Sequence, residues 1–243
     1  MSQIRILPDK TELMQAAAQL VVQTAEEAIA KRGRFSMALS GGSTPRGLYT
    51  LLTAAPYREQ IKWANVHLFW GDERCVPPDD ADSNYRMTRE SLLDHVPLPP
   101  ENIHRMQGEL PPEEAAAAYE HELTGFFGQS TPHFDLILLG MGDDGHTASL
   151  FPHTAALDEH QKWVTANHVP QKGVWRLTLT RPVINAARQV TFLISGAEKA
   201  ARLREVLYGV HQPHHLPSQF IHPVDGDLIW LLDRATASQL PEH

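Results

Sequence analysis

Short apolar segments alternate with longer helical segments along almost the whole chain, and this alternation constrains the fold more than any other feature. The apolar segments are rich in Val, Ile, Leu and Phe, as strands buried on both faces are. Strands separated by helices are typical of a parallel sheet. We therefore predict an α/β fold with a doubly wound, mostly parallel sheet and helices on both faces, Rossmann-like in architecture. The predicted strands include IRIL, FSMALS, VHLFW, FDLILLG, WRLTLT, VTFLIS and LIWLLD.

Composition limits the size, partners and location of the protein. With 243 residues, 42% of them hydrophobic, the chain can bury one sizeable core, and we expect a single domain over residues 1–243. Lys and Arg number 21 against 29 Asp and Glu, which argues against nucleic acid or an anionic membrane as a partner. Cys75 is the single cysteine, and the N-terminal segment lacks the pattern of a secretory signal. We expect a cytosolic protein.

In a parallel α/β sheet, ligands bind beyond the carboxyl ends of the strands, so the loops that follow strands are the first candidates for a site. The segment LSGGSTPRGLY contains Gly41, Gly42, Ser43 and Thr44 between a strand and a helix. Glycines, hydroxyls and the amides of a helix N-terminus suit a phosphate. The Gly-Lys-Ser/Thr of a nucleoside-triphosphate loop and the G-x-S-x-G of a serine hydrolase are absent from this segment. The alternative is a tight turn in which Thr44 caps the helix.

A second candidate loop is WGDERC, which follows another predicted strand. Asp72 could orient Arg74 so that the guanidinium meets an anion or a developing oxyanion. The alternatives are a solvated run of charges and, less favoured, a nucleophilic Cys75 for which no base is evident.

The third candidate, GMGDDGH, contains a G-x-G-x-x-G pattern at residues 140–145, which is typical of dinucleotide binding. Asp143 and Asp144 would repel a pyrophosphate, and the acid expected about 20 residues further on is missing. We interpret the segment instead as a turn that presents His146 as a general base, with Asp144 orienting the imidazole, at the start of a helix. A histidine that merely caps a turn is the alternative.

Two further cations and a histidine cluster complete the candidates. Arg176 begins a predicted strand, and Lys199 lies in the first turn of a predicted helix. A cation at a helix N-terminus opposes the helix dipole at a small cost, which indicates that Lys199 has a role such as binding phosphate. A surface lysine remains the alternative. The histidines of HQPHH at 211–215 are expected to be exposed, and we expect no metal.

Together these segments resemble the 6-phosphogluconolactonase family. The matching pieces are LSGGSTPRGLY, WGDERCVPPDDADSNYRM, FDLILLGMGDDGHTASLFP, WRLTLTRPVINAA, SGAEKA and WLLD. They occur in the family's order over nearly the whole chain, although Asp143 stands where the family commonly has proline. The resemblance implies hydrolysis of the δ-lactone of 6-phosphogluconate, a sugar phosphate, without metal or organic cofactor.

The resemblance also implies roles for the candidate residues. His146 would take a proton from water that attacks the C1 carbonyl. Arg74, held by Asp72, would stabilise negative charge. The 6-phosphate would be bound by a set of six residues: Gly41, Gly42, Ser43, Thr44, Arg176 and Lys199.

Two other functions are weighed against this one. A related glucosamine-6-phosphate deaminase would follow its histidine with an I-A-F-N-E-P type of sequence and would carry D-E-Y, whereas this chain has HTASLFP and DER. A non-catalytic sugar-phosphate sensor of a transcription regulator would need a DNA-binding segment, and none is evident here.

Overall fold

The computed structural model describes residues 2–241. The strands are β1 (Ser2–Leu7), β2 (Phe35–Leu39), β3 (Val66–Trp70), β4 (Asp72–Arg74), β5 (Ile103–His104), β6 (Leu136–Leu139), β7 (Val164–Val169), β8 (Val174–Leu179), β9 (Gln189–Ile194) and β10 (Asp227–Asp233). The helices are α1 (Lys10–Arg32), α2 (Ser43–Leu52), α3 (Tyr57–Gln60), α4 (Asn84–Ser91), α5 (Pro112–Phe127), α6 (Arg181–Asn185) and α7 (Ala200–Tyr208). Within the described range, none of the helices combines the length and apolar character needed to cross a bilayer.

Seven strands form one sheet in the order β1-β10-β9-β6-β2-β3-β5, and all neighbouring pairs are parallel. Every residue of the central strands β2 and β6 is buried. Because successive residues of a strand point to opposite faces, both faces of the sheet are covered. The predicted doubly wound, mostly parallel α/β sheet is confirmed.

A small antiparallel sheet in the order β4-β8-β7 was not predicted. The segment WRLTLT forms a strand, as expected, but it pairs in this second sheet rather than in the parallel one. The segment Asp72–Arg74, expected as a loop, is itself the short strand β4. Gly71 joins the two sheets: its amide donates to the Leu39 carbonyl at 2.9 Å, and its carbonyl accepts from the Leu179 amide at 2.8 Å.

Buried apolar side chains from both sheets form one contiguous core. Because β2, β3, β6 and β9 are parallel, the segments that follow them emerge at the same edge of the large sheet. A single residue, Gly71, separates the carboxyl end of β3 from β4 of the small sheet, at this same edge. The fold therefore brings the three candidate loops, which contain Gly41, Arg74 and His146, together at this edge.

Candidate active site

A cleft of about 210 Å³ lies at this edge of the large sheet. Its lining residues are Ser40, Gly41, Gly42, Asp72, Arg74, Asn84, Gly140, Met141, Gly142, His146, Thr147 and Ala148. Five of the predicted site residues are among them. A larger groove of about 710 Å³ runs along α1 and residues 60–62, but it contains none of the predicted residues. We therefore assign the smaller cleft as the candidate active site.

The side chains of His146 and Asp144 are in hydrogen-bond contact. The Nδ1 atom of His146 lies 2.5 Å from Oδ1 of Asp144, and the same carboxylate oxygen accepts from the His146 amide at 3.1 Å. The imidazole also stacks on the Phe151 ring, with centroids 4.0 Å apart. Burial opposes ionisation of Asp144, but the hydrogen bond and charge of His146 outweigh it and lower the pKa of Asp144 to about 2. An ionised Asp144 accepts the proton of Nδ1, so the neutral imidazole carries its free lone pair on Nε2.

The glycines of this turn make room for the histidine rather than for a pyrophosphate. A Cβ atom on Gly142 would lie 2.0 Å from Nδ1 of His146. The Gly142 amide donates to the His146 carbonyl at 2.9 Å, and the Thr147 hydroxyl donates to the Gly140 carbonyl at 2.8 Å. The prediction that His146 begins a helix is wrong, because residues 147–150 form a tight turn closed by a β-bridge between Thr147 and Leu150.

The phosphate-loop candidate is built as an open helix N-terminus. Helix α2 begins at Ser43, and Gly42 precedes it with φ of 108° and no side chain to cap it. The first amides of α2 therefore keep their capacity to bind an anion. The alternative in which Thr44 caps the helix is wrong, since Thr44 lies within the first turn. Buried Tyr49 fixes the loop, because its hydroxyl accepts from the Ser40 amide and donates to the Ser40 carbonyl.

The predicted bond between Asp72 and Arg74 is wrong. An Arg74 guanidinium nitrogen donates instead to the Asp82 carbonyl. Oδ2 of Asp72 accepts from the Ser149 hydroxyl at 2.7 Å. Residues two apart in a strand lie on the same face of the sheet. The separate partners of Asp72 and Arg74 therefore arise from the conformations of the two side chains and not from the strand.

Arg74 nevertheless lies beside a second predicted cation. It is directly opposite Arg176 in the antiparallel pairing of β4 and β8. Burial and the charge of Arg74 lower the pKa of Arg176. Burial raises the pKa of the neighbouring Cys75 thiol to about 11, which disfavours a nucleophilic thiolate at neutral pH. The pairing therefore brings two positively charged side chains, one of which lines the cleft, to the same part of the small sheet.

Lys199 does not line the cleft. It is the last residue of a 3-10 turn, Ala197–Lys199, that runs directly into α7, so it lies in the first helical turn after β9, as predicted. Its ammonium lies 2.5 Å from Oδ1 of Asp143, which belongs to the same turn as His146. Lys199 is thus connected to the site through this turn.

Three site residues were missed by the sequence interpretation. Asn84 lines the cleft and donates from Nδ2 to the Asp72 carbonyl at 2.9 Å. Buried Glu73 accepts from the amides of Asn84 and Tyr85, which fixes the start of α4 beside β4. Ser149 links the turn of His146 to Asp72. All of them lie inside segments that resemble the family, but nothing in their local pattern indicates which partner each would find.

The histidines at 211–215 are exposed, as predicted. Nε2 of His214 lies 3.0 Å from Oδ1 of Asp158, and the ring of His215 contacts that of His153. This loop is not part of the cleft lining.

Similarity to known proteins identifies the family of this chain. Residues 8–230 match the family described as glucosamine-6-phosphate isomerases/6-phosphogluconolactonase. The 6-phosphogluconolactonase of Synechocystis sp. is 46% identical over 242 residues, and that of Nostoc sp. is 43% identical over 241, each match covering 98% of both chains. The solved structure of 6-phosphogluconolactonase from Trypanosoma brucei is 31% identical, with a TM-score of 0.87 over 99% of both chains. The chain therefore belongs to the glucosamine-6-phosphate isomerase/6-phosphogluconolactonase family, as a member of its 6-phosphogluconolactonase branch.

Proposed function

We propose that the chain, an enzyme of the 6-phosphogluconolactonase class, hydrolyses 6-phospho-D-glucono-1,5-lactone to 6-phosphogluconate with His146 as general base. The substrate and the place in the oxidative pentose phosphate pathway follow from the family. The mechanism depends on one observation, the 2.5 Å contact between Nδ1 of His146 and Asp144 at the cleft. A carboxylate in this position keeps the basic lone pair on Nε2 and stabilises the imidazolium that forms when a proton is taken.

In the proposed reaction, Nε2 of His146 takes a proton from water as the water oxygen bonds to C1 of the lactone. The carbonyl oxygen becomes the oxyanion of a tetrahedral intermediate. Collapse of the intermediate breaks the bond between C1 and the ring oxygen, and the imidazolium returns its proton to that oxygen. The product is the open-chain hydroxy acid, whose carboxyl group then loses its proton to solvent.

The cations and the helix N-terminus have two proposed roles, stabilising the oxyanion and binding the 6-phosphate. Arg74, the lining guanidinium, would stabilise the oxyanion, since charge that develops in a partly buried site is stabilised by a donor already in place. The 6-phosphate would bind at the α2 N-terminus, formed by Gly41, Gly42, Ser43 and Thr44, with Arg176 and Lys199 contributing charge. In this assignment Asp72 supports the turn that carries His146, rather than orienting Arg74.

This chemistry requires no metal or organic cofactor. A lactone is an activated ester, so a positioned base, oxyanion stabilisation and a fixed substrate are sufficient. Activity should therefore survive exhaustive dialysis against EDTA, and loss of activity restored by a divalent cation would contradict the proposal.

The central test is a lactonase assay on freshly generated 6-phosphogluconolactone, corrected for spontaneous hydrolysis. The assay should show turnover well above the spontaneous rate. Ammonia release from glucosamine 6-phosphate should be absent, and substantial release would favour the deaminase. If 6-phosphogluconate bound without any acceleration of lactone loss, the sensor function would replace the catalytic one.

We also propose a cytosolic location. A single, partly buried cysteine suits a reducing compartment, where structural disulfides are rare. Fractionation of cells with an antibody to the chain tests this proposal, and recovery from an oxidising compartment would contradict it.

A further inference from the structure

The lysine proposed to bind the substrate phosphate already has a carboxylate partner within the chain. Nζ of Lys199 lies 2.5 Å from Oδ1 of Asp143. The two side chains differ greatly in accessibility: Lys199 is 22% exposed and Asp143 is 84% exposed. The carboxylate therefore reaches Lys199 from the solvent side, the side from which a dissolved phosphate would also approach.

The backbone at Asp143 is fixed while its carboxylate protrudes. The guanidinium of Arg202, on α7, donates from Nε to the Asp143 carbonyl at 2.7 Å. The next residue, Asp144, bonds to His146. The hydrogen bond from Lys199, and then its charge, lower the pKa of Asp143, so the carboxylate is ionised at neutral pH. Lys199 consequently faces a negative charge that belongs to the chain itself.

We propose that Asp143 competes with the substrate phosphate for Lys199 and thereby lowers the affinity of the site for phosphorylated ligands. The inference rests on the proposed role of Lys199 in phosphate binding. A phosphate that reaches Lys199 must either displace the Asp143 carboxylate or lie beside it, and both arrangements weaken binding.

Weaker phosphate binding has a use in this reaction. The product, 6-phosphogluconate, keeps the phosphate of the substrate and gains a carboxylate. Because substrate and product carry the same phosphate, competition by Asp143 weakens the binding of both, and for the product this weaker binding means faster release. Asp143 would shift the balance toward release, because the carboxylate returns to Lys199 when the phosphate leaves.

The opposite role is that Asp143 orients Lys199 for phosphate and so improves binding. The two roles predict changes of opposite sign when the charge of Asp143 is removed. Asp143→Asn keeps the size of the side chain, and the high exposure of Asp143 makes misfolding of this variant an unimportant outcome.

The experiment measures the inhibition constants of inorganic phosphate and of 6-phosphogluconate in the lactonase assay. For Asp143→Asn we expect both constants to fall roughly two- to fivefold, the range for loss of one exposed ion pair. Asp94→Asn is the matched control, because Asp94 is also an exposed aspartate near a cation, Arg89, but belongs to another surface. It should leave both constants unchanged. Unchanged or increased constants in Asp143→Asn would overturn the proposal.

Lys199→Ala and the double variant separate this inference from the proposed function. Lys199→Ala should raise both inhibition constants, and adding Asp143→Asn should then have little further effect. If Lys199→Ala leaves the constants unchanged, the phosphate role of Lys199 fails. If Lys199→Ala raises them but the lowering by Asp143→Asn persists in its absence, the competition by Asp143 is overturned while the phosphate site stands.

Discussion

The hydroxyl of Ser149 donates a 2.7 Å hydrogen bond to Oδ2 of Asp72, and this bond joins the turn of His146 to the strand that carries Arg74. Both residues are buried. The Ser149 amide also donates to Thr178 on β8, and its carbonyl accepts from Asn167 on β7. Ser149 thus contacts all three strands of the small sheet, and it connects the turn of the proposed base to the two strands that carry the arginines.

Ser149→Ala should impair both stability and catalysis. It leaves a buried carboxylate oxygen without its donor, which costs about 1–3 kcal/mol of unfolding free energy. Because the His146 turn is then less well placed, we expect kcat to fall roughly tenfold. Urea unfolding and steady-state kinetics measure the two effects.

Ser36→Ala is the matched control for this prediction. The Ser36 hydroxyl also donates to a buried aspartate, Asp135, at 3.0 Å, but at the amino end of β2, away from the cleft. It should lose comparable stability with kcat unchanged. Equal kinetic losses in both variants would mean that Ser149 has no special relation to the site.

Replacing the proposed base should affect turnover far more than binding. For His146→Ala we expect kcat to fall by about 10² to 10⁴ with a modest change in KM, as for loss of a general base. His211→Ala, which removes an exposed histidine outside the cleft, should behave as wild type. A kcat near that of wild type in His146→Ala would remove His146 from the mechanism.

Gly41 should not tolerate even a methyl group. A Cβ atom there would lie 2.0 Å from Oδ1 of Asn84, whose amide is fixed by its bond to Asp72. Gly41→Ala must displace Asn84 or the loop, and we expect kcat/KM to fall roughly 10- to 100-fold.

Gly125→Ala is the control, since nothing lies within 4 Å of a Cβ atom on this exposed residue of α5. It should keep full activity and gain up to about 1 kcal/mol of stability. Full activity of Gly41→Ala would show that the contact with Asn84 is unimportant.

Acid should destabilise the protein partly through His67. Its Nδ1 contacts Nε2 of His104 at 3.2 Å, and Nδ1 of His104 contacts Glu122 at 2.6 Å. Burial, then His104, then Arg34 lower the pKa of His67 to about 4, against 6.5 for an ordinary histidine. Between these two values the unfolded chain binds a proton that the folded chain does not. The contribution of His67 to stability is therefore present above pH 6.5 and is lost as the pH falls toward 4.

In His67→Gln, the decline of unfolding free energy between pH 6.5 and 4 should be shallower than in wild type. Urea unfolding at several pH values measures the slope. His222→Gln, which removes an exposed histidine, should keep the wild-type slope. Parallel profiles for wild type and His67→Gln would show that His67 is protonated equally in both states.

The strands and the loops that follow them could be predicted because their signals are local. A run of Val, Ile, Leu and Phe indicates a buried strand wherever it pairs, and parallel strands carry their following loops to one edge. The same is true of Asp144 and His146, two residues apart in one turn, whose contact depends on that turn alone.

Partners that are distant in the sequence could not be predicted in this way. The pairing of Arg74 with Arg176 depends on how β4 meets β8, a hundred residues later in the chain. Asp72 had a basic residue two positions away, but its hydrogen bond is formed with Ser149. Lys199 was recognised as a cation that opposes the helix dipole, yet its ion pair with Asp143 depends on a turn that lies 56 residues earlier in the chain.

Because Arg74 is paired with Arg176, we expect the thermal stability of this protein to depend on the anions in its buffer. Two guanidinium groups on directly opposite residues repel each other, and one of them is partly desolvated. An anion that arrives between them removes this repulsion, and it binds the folded chain alone, since the unfolded chain does not bring the two strands together. Phosphate or sulfate ions should therefore raise the melting temperature more than chloride at equal ionic strength. The rise in melting temperature would then measure how much of the anion is bound to the folded chain.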